Sequence, residues 1–212
     1  MFSAFTLYPI LNINSTNLDT FDEKLLAITS SKISILQLRA KNISDELFLA
    51  CARKARAMTS LKNIKLIIND RADIAQKVSA NGVHVGQKDG SIAEARKLLG
   101  VGKIIGGSAE SLAEAVKVEQ SGADYVGVGS VFSTLTKKDI GVLGLSELSR
   151  IKDFLNIPVV AIGGITLENF TKILNVGVKA IAVISDIFQT ENISSKAEAY
   201  YRKAYEYERA TV

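Results

Sequence analysis

The segment from Gly122 to Asp139, GADYVGVGSVFSTLTKKD, joins a short apolar stretch to a loop rich in hydroxyl and ammonium groups. Residues 124–129 are typical of a buried β-strand, and glycines inside a strand leave room where a ligand or another backbone comes close. In the loop, hydroxyls can donate hydrogen bonds to phosphate oxygens, while lysine supplies a positive point charge. A solvated surface loop is the alternative interpretation of this segment taken alone. The loop's polar residues are Ser130, Ser133, Thr134, Thr136, Lys137, Lys138 and Asp139.

An earlier apolar stretch ends in QLRAK, where an amide and two cations alternate. Because alternate residues of an extended strand share one face, Gln37, Arg39 and Lys41 are predicted to point the same way. An amide and two cations on one face form an anion site, unless the strand simply emerges into solvent there.

Two aspartates follow the next two apolar stretches, Asp70 after Asn69 and Asp89 at the end of GVHVGQKD. Mg²⁺ binds few carboxylates and takes its other ligands from water and phosphate, so the two aspartates could share one ion. Either aspartate could instead cap the helix that follows it. His84, between two valines, is interpreted as a packed residue rather than a catalyst.

Glycine and small polar residues end three further stretches: Ser108 follows Gly-Gly, Gly164 follows Gly163, and Ser185 follows Ile184. Glycine beside serine lets a backbone or a hydroxyl approach a ligand closely. Loops after the seventh and eighth strands of a parallel barrel, with a short helix N-terminus, commonly bind phosphate. The last two pairs together therefore predict a phosphate cradle.

Strand patterns alternate with helix patterns along the whole chain, which predicts an α/β fold, a single-domain (β/α)8 TIM barrel over residues 1–212. A doubly wound open sheet is the alternative. The predicted strands are Leu7–Leu11, Ile33–Leu38, Lys65–Ile68, Gly82–Val85, Ile104–Gly107, Tyr125–Val128, Val159–Ile162 and Ala180–Ile184. The predicted helices include Ser44–Met58, Ala72–Val78, Ile92–Leu99, Ser111–Gln120, Leu145–Phe154, Leu167–Asn175 and Lys196–Glu208.

Composition excludes several classes of function. With one cysteine, Cys51, and one histidine, the 212-residue chain cannot form an internal disulfide or a two-histidine metal site, and a cytoplasmic setting is expected. No apolar run approaches the roughly 20 residues of a membrane helix. The net charge of +4 favours anionic ligands, but no basic stripe with interleaved aromatic residues indicates nucleic acid.

The candidate residues form two sets at the carboxyl ends of the predicted strands, where a barrel carries its active site. Two differently charged phosphate sites at one barrel mouth suggest an enzyme that joins two small phosphorylated molecules. The set suited to a metal-bound diphosphate is Gln37, Arg39, Lys41, Lys137, Asp70 and Asp89. The set suited to a monophosphate is Thr134, Thr136, Gly164, Ile184 and Ser185.

The chain resembles the thiamine phosphate synthase (thiamine-phosphate pyrophosphorylase) family along nearly its whole length and in family order. The resemblance implies a transferase that joins an aminopyrimidine diphosphate to a thiazole phosphate, giving thiamine phosphate and diphosphate. The matching segments are QLRAK at 37–41, INDRADIA at 68–75, GVHVGQKD at 82–89, IIGGS at 104–108, GADYVGVG at 122–129, TLTK at 134–137, IPVVAIGGIT at 157–166 and AVISDIF at 182–188.

The resemblance also implies a role for each matching residue, with Mg²⁺ as the cofactor on the diphosphate. Asp70 and Asp89 would bind Mg²⁺, and Arg39, Lys41, Lys137 and Ser108 would serve catalysis. The pyrimidine diphosphate would be bound by Gln37, Arg39, Lys41, Asn69, Ser108 and Lys137. The thiazole phosphate would be bound by Thr134, Thr136, Gly164, Ile184 and Ser185.

The chain departs from the family pattern in the loop after the sixth strand. Ser130 and Ser133 replace prolines, the loop from Asp139 to Gly144 is about one residue short, and Glu110 stands where the family often has histidine. Two alternatives remain: a TenI-like thiazole tautomerase, a relative on the same barrel that performs proton transfer without Mg²⁺, and a non-catalytic phosphate-binding barrel, which the altered loop after the sixth strand favours. The sequence leaves open whether the protein forms a homo-oligomer.

Overall fold

The computed structural model of the chain describes residue 2, residues 4–133 and residues 141–211. Eight parallel strands close into a barrel in sequence order, and β8 pairs with β1. This closed order confirms the predicted (β/α)8 barrel and excludes the open doubly wound sheet. The strands are β1 Thr6–Ile13, β2 Ile35–Ala40, β3 Lys65–Asn69, β4 Gly82–Val85, β5 Ile104–Ala109, β6 Tyr125–Val128, β7 Val159–Ile162 and β8 Ala180–Val183.

Helices follow the strands and cover the outside of the barrel. The helices are α1 Phe21–Thr29, α2 Asp45–Leu61, α3 Ala72–Lys77, α4 Ile92–Leu99, α5 Leu112–Gln120, α6 Gly144–Phe154, α7 Thr171–Asn175, α8 Ser185–Phe188 and α9 Ile193–Thr211, with a 3-10 turn at Leu18–Thr20. The predicted helix Leu167–Asn175 is too long: its first residues form hydrogen-bonded turns, and the α-helix begins only at Thr171.

The helix ends follow the signals in the sequence. Ser44, Ser91 and Ser111 each accept a hydrogen bond from the backbone N–H three residues later, at 3.3, 3.4 and 3.3 Å, and so satisfy a donor at a helix start. Three helices are followed by a glycine in the left-handed region, where a side chain would be strained. These glycines are Gly100, Gly122 and Gly177, with φ of 85°, 85° and 81°.

Two apolar layers result from the alternation of side chains along the strands. Residues such as Leu7 and Leu11 of β1 pack outward against the helices in the main core, whereas Tyr8 and Ile10 point into the barrel. The inner layer holds Tyr8, Ile10, Ile35, Ile67, Tyr125, Val160, Ala180 and Ala182. These side chains fill the lower part of the barrel, and a cavity opens at the strands' carboxyl ends.

The C-terminal helix packs on the barrel through its first tyrosines. Tyr200 is fully buried against Phe170, with ring centroids 5.0 Å apart, and Tyr201 lies 5.4 Å from the ring of Phe5. Tyr205, about one helical turn after Tyr201, is 61% exposed. In the described part of the chain, no helix is both long and apolar enough to cross a bilayer.

Gly82 on β4 is a position where an added side chain would collide with the neighbouring strand. A Cβ at this position would lie 1.9 Å from the backbone oxygen of Ile104 on the neighbouring strand. Because backbone cannot move away as a side chain can, we expect Gly82→Ala to lower the free energy of unfolding by roughly 1–3 kcal/mol. Urea denaturation measures the change. Gly141→Ala, where a Cβ meets nothing within 4 Å, is the matched control.

Candidate active site

A cavity of about 230 Å³ opens at the carboxyl ends of the strands, with Tyr8 and Tyr125 among its deepest residues. Every site residue predicted from the sequence that the structure describes lines this cavity. These are Gln37, Arg39, Lys41, Asn69, Asp70, Asp89, Ser108, Gly164, Ile184 and Ser185. The three other predicted residues, Thr134, Thr136 and Lys137, lie outside the described residues.

Strand β2 turns its alternate residues into the cavity, as the QLRAK pattern predicts. Gln37 lies deepest, is 2% exposed and donates from Nε2 to the hydroxyl of Tyr8 at 3.1 Å. Its Oε1 is buried and has no hydrogen-bond partner within the described part of the chain. Arg39 donates to the Asn12 side chain, and Lys41 is exposed at the rim. One strand thus presents an unpaired carbonyl oxygen below two cations.

The two predicted metal ligands converge above Gly86. A Cβ on this glycine would lie 2.2 Å from Oδ2 of Asp89 and 3.4 Å from Oδ1 of Asp70. Asp70 has a φ of 63°, in the left-handed region, and its Oδ1 accepts a hydrogen bond from the Gly86 N–H at 3.1 Å. The Asn69 side chain donates to the other oxygen of Asp70. Gly86 therefore leaves the space that the two carboxylates share.

Neither aspartate caps a helix, so the capping interpretation is wrong. The residue before α3 is Arg71, which makes no side-chain cap hydrogen bond, and the cap of α4 is Ser91. Arg71 instead forms ion pairs with Asp45 and Asp73. These contacts tie the loop after β3 to the start of α2.

Two carboxylates and a guanidinium affect one another electrostatically at this end of the cavity. Burial raises the pKa of the Asp70 carboxyl, and repulsion from Asp89 raises it further. Burial lowers the pKa of the Arg39 guanidinium, while both aspartates act in the opposite direction. No group of three or more His, Cys, Asp or Glu side chains that could hold a metal exists among the described residues. Two carboxylates suit an ion such as Mg²⁺, which takes further ligands from water and phosphate.

The cavity also contains residues to which the sequence gives no part in binding, including His84, interpreted from the sequence as a packed residue. His84 lines it and makes hydrogen bonds from Nδ1 to Tyr125 and from Nε2 to Ser108, each 2.9 Å long. The hydroxyls of Tyr125 and Tyr8 lie 3.0 Å apart. The sequence signal that could have identified this cluster was a tyrosine at an inward-facing position of β1, Tyr8, and another at the start of β6, Tyr125.

The opposite side of the cavity is formed by the loops after β6, β7 and β8. Gly163 and Gly164 have φ of 98° and 65°, and a Cβ on Gly164 would lie 2.3 Å from the carbonyl oxygen of Ser133. These two glycines therefore let the loop after β6 approach the loop after β7. Ile184 and Ser185 face the same space from β8 and the start of α8.

Asp186 holds this second side in place. Its Oδ2 accepts hydrogen bonds from the Leu167 N–H at 3.2 Å and from the Tyr200 hydroxyl at 2.7 Å, and it pairs with Lys196 at 3.2 Å. One carboxylate thereby links the loop after β7, the short helix α8 and the C-terminal helix α9. The position of Ser185 follows from these contacts.

The closed (β/α)8 barrel carries two carboxylates and two cations on one side of its mouth and a glycine and a serine on the other. This arrangement is typical of an enzyme that acts on phosphorylated substrates. Residues 7–187 match the model of the family described as thiamine monophosphate synthase. The chain belongs to this family, whose named members are transferases. The predicted family membership is thereby confirmed.

Individual relatives agree with this assignment. A thiamine-phosphate synthase from Ruminiclostridium cellulolyticum is 41% identical over 194 residues, which cover 92% of each chain. One from Clostridium acetobutylicum is 46% identical over 169 residues, or 80% of each chain. Among solved structures, a thiamine phosphate pyrophosphorylase from Pyrococcus furiosus superposes with a TM-score of 0.86 at 34% identity, covering 96% of each chain.

The raised pKa of Asp70 gives the site a testable pH dependence. Folding disfavours the charged carboxylate, so the contribution of Asp70 to stability falls as pH rises from below the ordinary aspartate pKa of about 3.9 through the higher folded value. Asp70→Asn removes the cost of burying the charged carboxylate, and asparagine, like aspartate, tolerates the left-handed backbone conformation at this position. We expect the variant to become more stable relative to the wild type as pH rises from 3 to 7, as measured by urea denaturation.

Asp73→Asn provides a control of opposite sign. Hydrogen bonds from Arg71 lower the pKa of Asp73, so this carboxylate stabilises the fold above its unfolded pKa, and the effect is lost as pH falls. The control variant should be the less stable protein at pH 7. A fall in relative stability of Asp70→Asn between pH 3 and 7 would contradict the charge arrangement described above.

Proposed function

We propose that the protein couples 4-amino-2-methyl-5-hydroxymethylpyrimidine diphosphate to 4-methyl-5-(2-phosphoethyl)thiazole, giving thiamine phosphate and diphosphate. The observation that carries the proposal is one cavity with two unlike phosphate-binding sides, in a chain of the thiamine monophosphate synthase family. Each side fits one of the two phosphorylated substrates. A shared cavity also brings the reacting atoms together, which lowers the entropic part of the barrier.

The diphosphate fits the side formed by β2, β3 and β4. Arg39 and Lys41 supply positive charge, and Asn69 and Ser108 supply hydrogen-bond donors. Asp70 and Asp89 would hold Mg²⁺, which, when bound, supplies positive charge that stabilises the departing diphosphate. The convergence of the two carboxylates above Gly86 and the raised pKa of Asp70 support this role, since a cation relieves their repulsion.

The chain's own residues act by stabilising charge rather than by removing a proton. As the bond between the pyrimidine methylene and the diphosphate breaks, negative charge grows on the diphosphate and Arg39 and Lys41 lie where they can stabilise it. The pyrimidine methylene becomes carbocation-like, and the thiazole nitrogen attacks it. The family resemblance alone gives Lys137 the same role of stabilising the negative charge on the departing diphosphate.

The thiazole phosphate fits the opposite side. Gly164 and Ser185 line the cavity there, beside Ile184, and Asp186 links the loop after β7, which carries Gly164, to α8, which begins at Ser185. Thr134 and Thr136 complete this set in our proposal. The positive φ of Gly164 supports its part, because a side chain there would collide with the backbone of Ser133.

The tautomerase alternative is not favoured. Its relatives use a histidine at the position of Glu110, which is exposed at the cavity rim here. They also lack the residues that bind the diphosphate, which this chain has. We further propose a cytoplasmic location for the reaction, from the single cysteine, and leave the oligomeric state open.

The first test is the formation of thiamine phosphate from the two purified substrates, with and without Mg²⁺. We expect product only with the metal, and loss of that product in Asp89→Asn with the fold intact by circular dichroism. Product formation without metal, or an active Asp89→Asn variant, would remove the metal role. A folded wild-type protein that makes no product would overturn the proposed reaction.

Arg39 tests the charge stabilisation separately. Arg39→Gln keeps a hydrogen-bonding side chain but removes the charge, so we expect kcat to fall roughly 100-fold while the KM for thiazole phosphate changes little. Steady-state kinetics with each substrate varied in turn measures both constants. Arg53→Gln, on the exposed face of α2, is the control for loss of one positive charge. A rise in the KM for thiazole phosphate without a fall in kcat would assign Arg39 to the side of the cavity that binds thiazole phosphate instead.

A further inference from the structure

A row of hydrogen bonds crosses the floor of the cavity and joins two predicted ligand-binding residues. It runs from the Gln37 amide to the Tyr8 hydroxyl at 3.1 Å, and on to the Tyr125 hydroxyl at 3.0 Å. It continues to His84 Nδ1 and from His84 Nε2 to Ser108, each at 2.9 Å. Gln37 and Ser108 are on β2 and β5, so the row connects opposite walls of the barrel.

Two glycines leave the space that the rings of this row occupy. A Cβ on Gly106 would lie 2.1 Å from the ring of Tyr125, and one on Gly127 would lie 3.1 Å from Cε1 of His84. Burial raises the pKa of both tyrosines well above the usual value, so each phenol keeps its proton at neutral pH. Every hydroxyl in the row therefore has one proton to donate.

The row has a direction, because each hydroxyl has only one proton. Gln37 donates from Nε2 to Tyr8, so the protons of Tyr8 and Tyr125 go onward to Tyr125 and to His84 Nδ1. His84 Nε2 then donates to Ser108, and the Ser108 hydroxyl proton is left for the cavity. In this order the Gln37 end presents an acceptor, the buried Oε1, which has no partner among the described residues, and the Ser108 end presents a donor.

The opposite order is equally complete but presents the opposite groups. If the amide turned over, Tyr8 would donate to Oε1, every bond in the row would reverse, and Ser108 would donate to His84. Gln37 would then offer an N–H and Ser108 only a lone pair. With a neutral imidazole, in which one ring nitrogen donates and the other accepts, the two ends are therefore coupled: an acceptor at Gln37 goes with a donor at Ser108.

We propose that Tyr8, Tyr125 and His84 are positioning residues that make the cavity specific for a ring amine carried on a diphosphate. The inference rests on the proposed function, in which Gln37 and Ser108 bind the pyrimidine diphosphate. An exocyclic amine donates to Oε1 while the anionic diphosphate accepts from Ser108, so both ends match one order of the row. A ring with a carbonyl in place of the amine mismatches one end in either order.

Binding measurements test this without turnover. Isothermal titration calorimetry, at constant Mg²⁺ and without thiazole phosphate, gives Kd for 4-amino-2-methyl-5-hydroxymethylpyrimidine diphosphate and for its 4-oxo counterpart. We expect the wild type to prefer the amine by about 100-fold or more, because the oxo compound leaves a buried group unpaired. Equal affinities, or no binding of the amine, would overturn the inference.

Tyr8→Phe separates the Gln37 amide from the rest of the row and keeps the aromatic ring. The amide can then turn to suit either ligand while Ser108 still donates to the diphosphate. We expect affinity for the amine to fall about tenfold, the value of one buried hydrogen bond, and affinity for the oxo compound to rise. A merely structural role for Tyr8 would weaken both ligands in parallel, and that result would contradict the proposal.

Tyr125→Phe interrupts the row one step further on and leaves the Gln37–Tyr8 hydrogen bond. It should also raise affinity for the oxo compound, with a smaller loss for the amine, and it decides the question if Tyr8→Phe does not fold. Tyr201→Phe, outside the barrel interior, is the matched control and should keep the wild-type ratio. The thiamine phosphate assay reports separately on the reaction, so a bound but unconverted amine would reject the reaction and leave the specificity intact.

Discussion

Repulsion between two carboxylates at the barrel mouth is the interaction on which the site depends. A closed parallel barrel brings the carboxyl ends of adjacent strands together, so Asp70 after β3 and Asp89 after β4 must share the space above Gly86. Arg39 offsets part of this negative charge, as the opposing effects on its pKa show. Two carboxylates and a guanidinium therefore lie together at this end of the cavity, and the proposed metal site rests on this arrangement.

Along the barrel axis, the lower part of the interior is packed with side chains and the upper part forms the binding cavity. Apolar side chains such as Ile35 and Val160 fill the lower part, and the two tyrosines end this packed layer. Above the tyrosine hydroxyls the lining becomes polar, with Gln37, His84 and Ser108 at its base. A tyrosine suits this boundary because its ring is apolar and its hydroxyl needs a partner when buried. The row of hydrogen bonds gives that partner to both tyrosines.

Sequence patterns predicted the barrel and the described candidate residues, since alternation along a strand and polar groups at its end are local properties. Strands β4, β6 and β7 have the predicted bounds. The late start of α7 could not be predicted, because Thr166 and Asn169 form a local hydrogen-bonded turn that competes with the helix. The role of His84 was also missed, because its partners Tyr125 and Ser108 come from strands distant in sequence.

Hydrogen bonds hold the base of the loop after β6, at Ser130, where the family resemblance leads one to expect a proline. Ser130 is 6% exposed, and its hydroxyl donates to the Phe132 carbonyl at 2.7 Å. Its own carbonyl accepts from the Leu143 N–H at 2.8 Å, which joins the two described ends of the loop. A Cβ on Gly163 would lie 2.1 Å from the Ser130 hydroxyl oxygen, so the serine is also closely packed. A proline fixes one dihedral angle of its own residue, whereas these contacts connect three neighbouring segments. The base of the loop is therefore held by its surroundings, without a proline at Ser130.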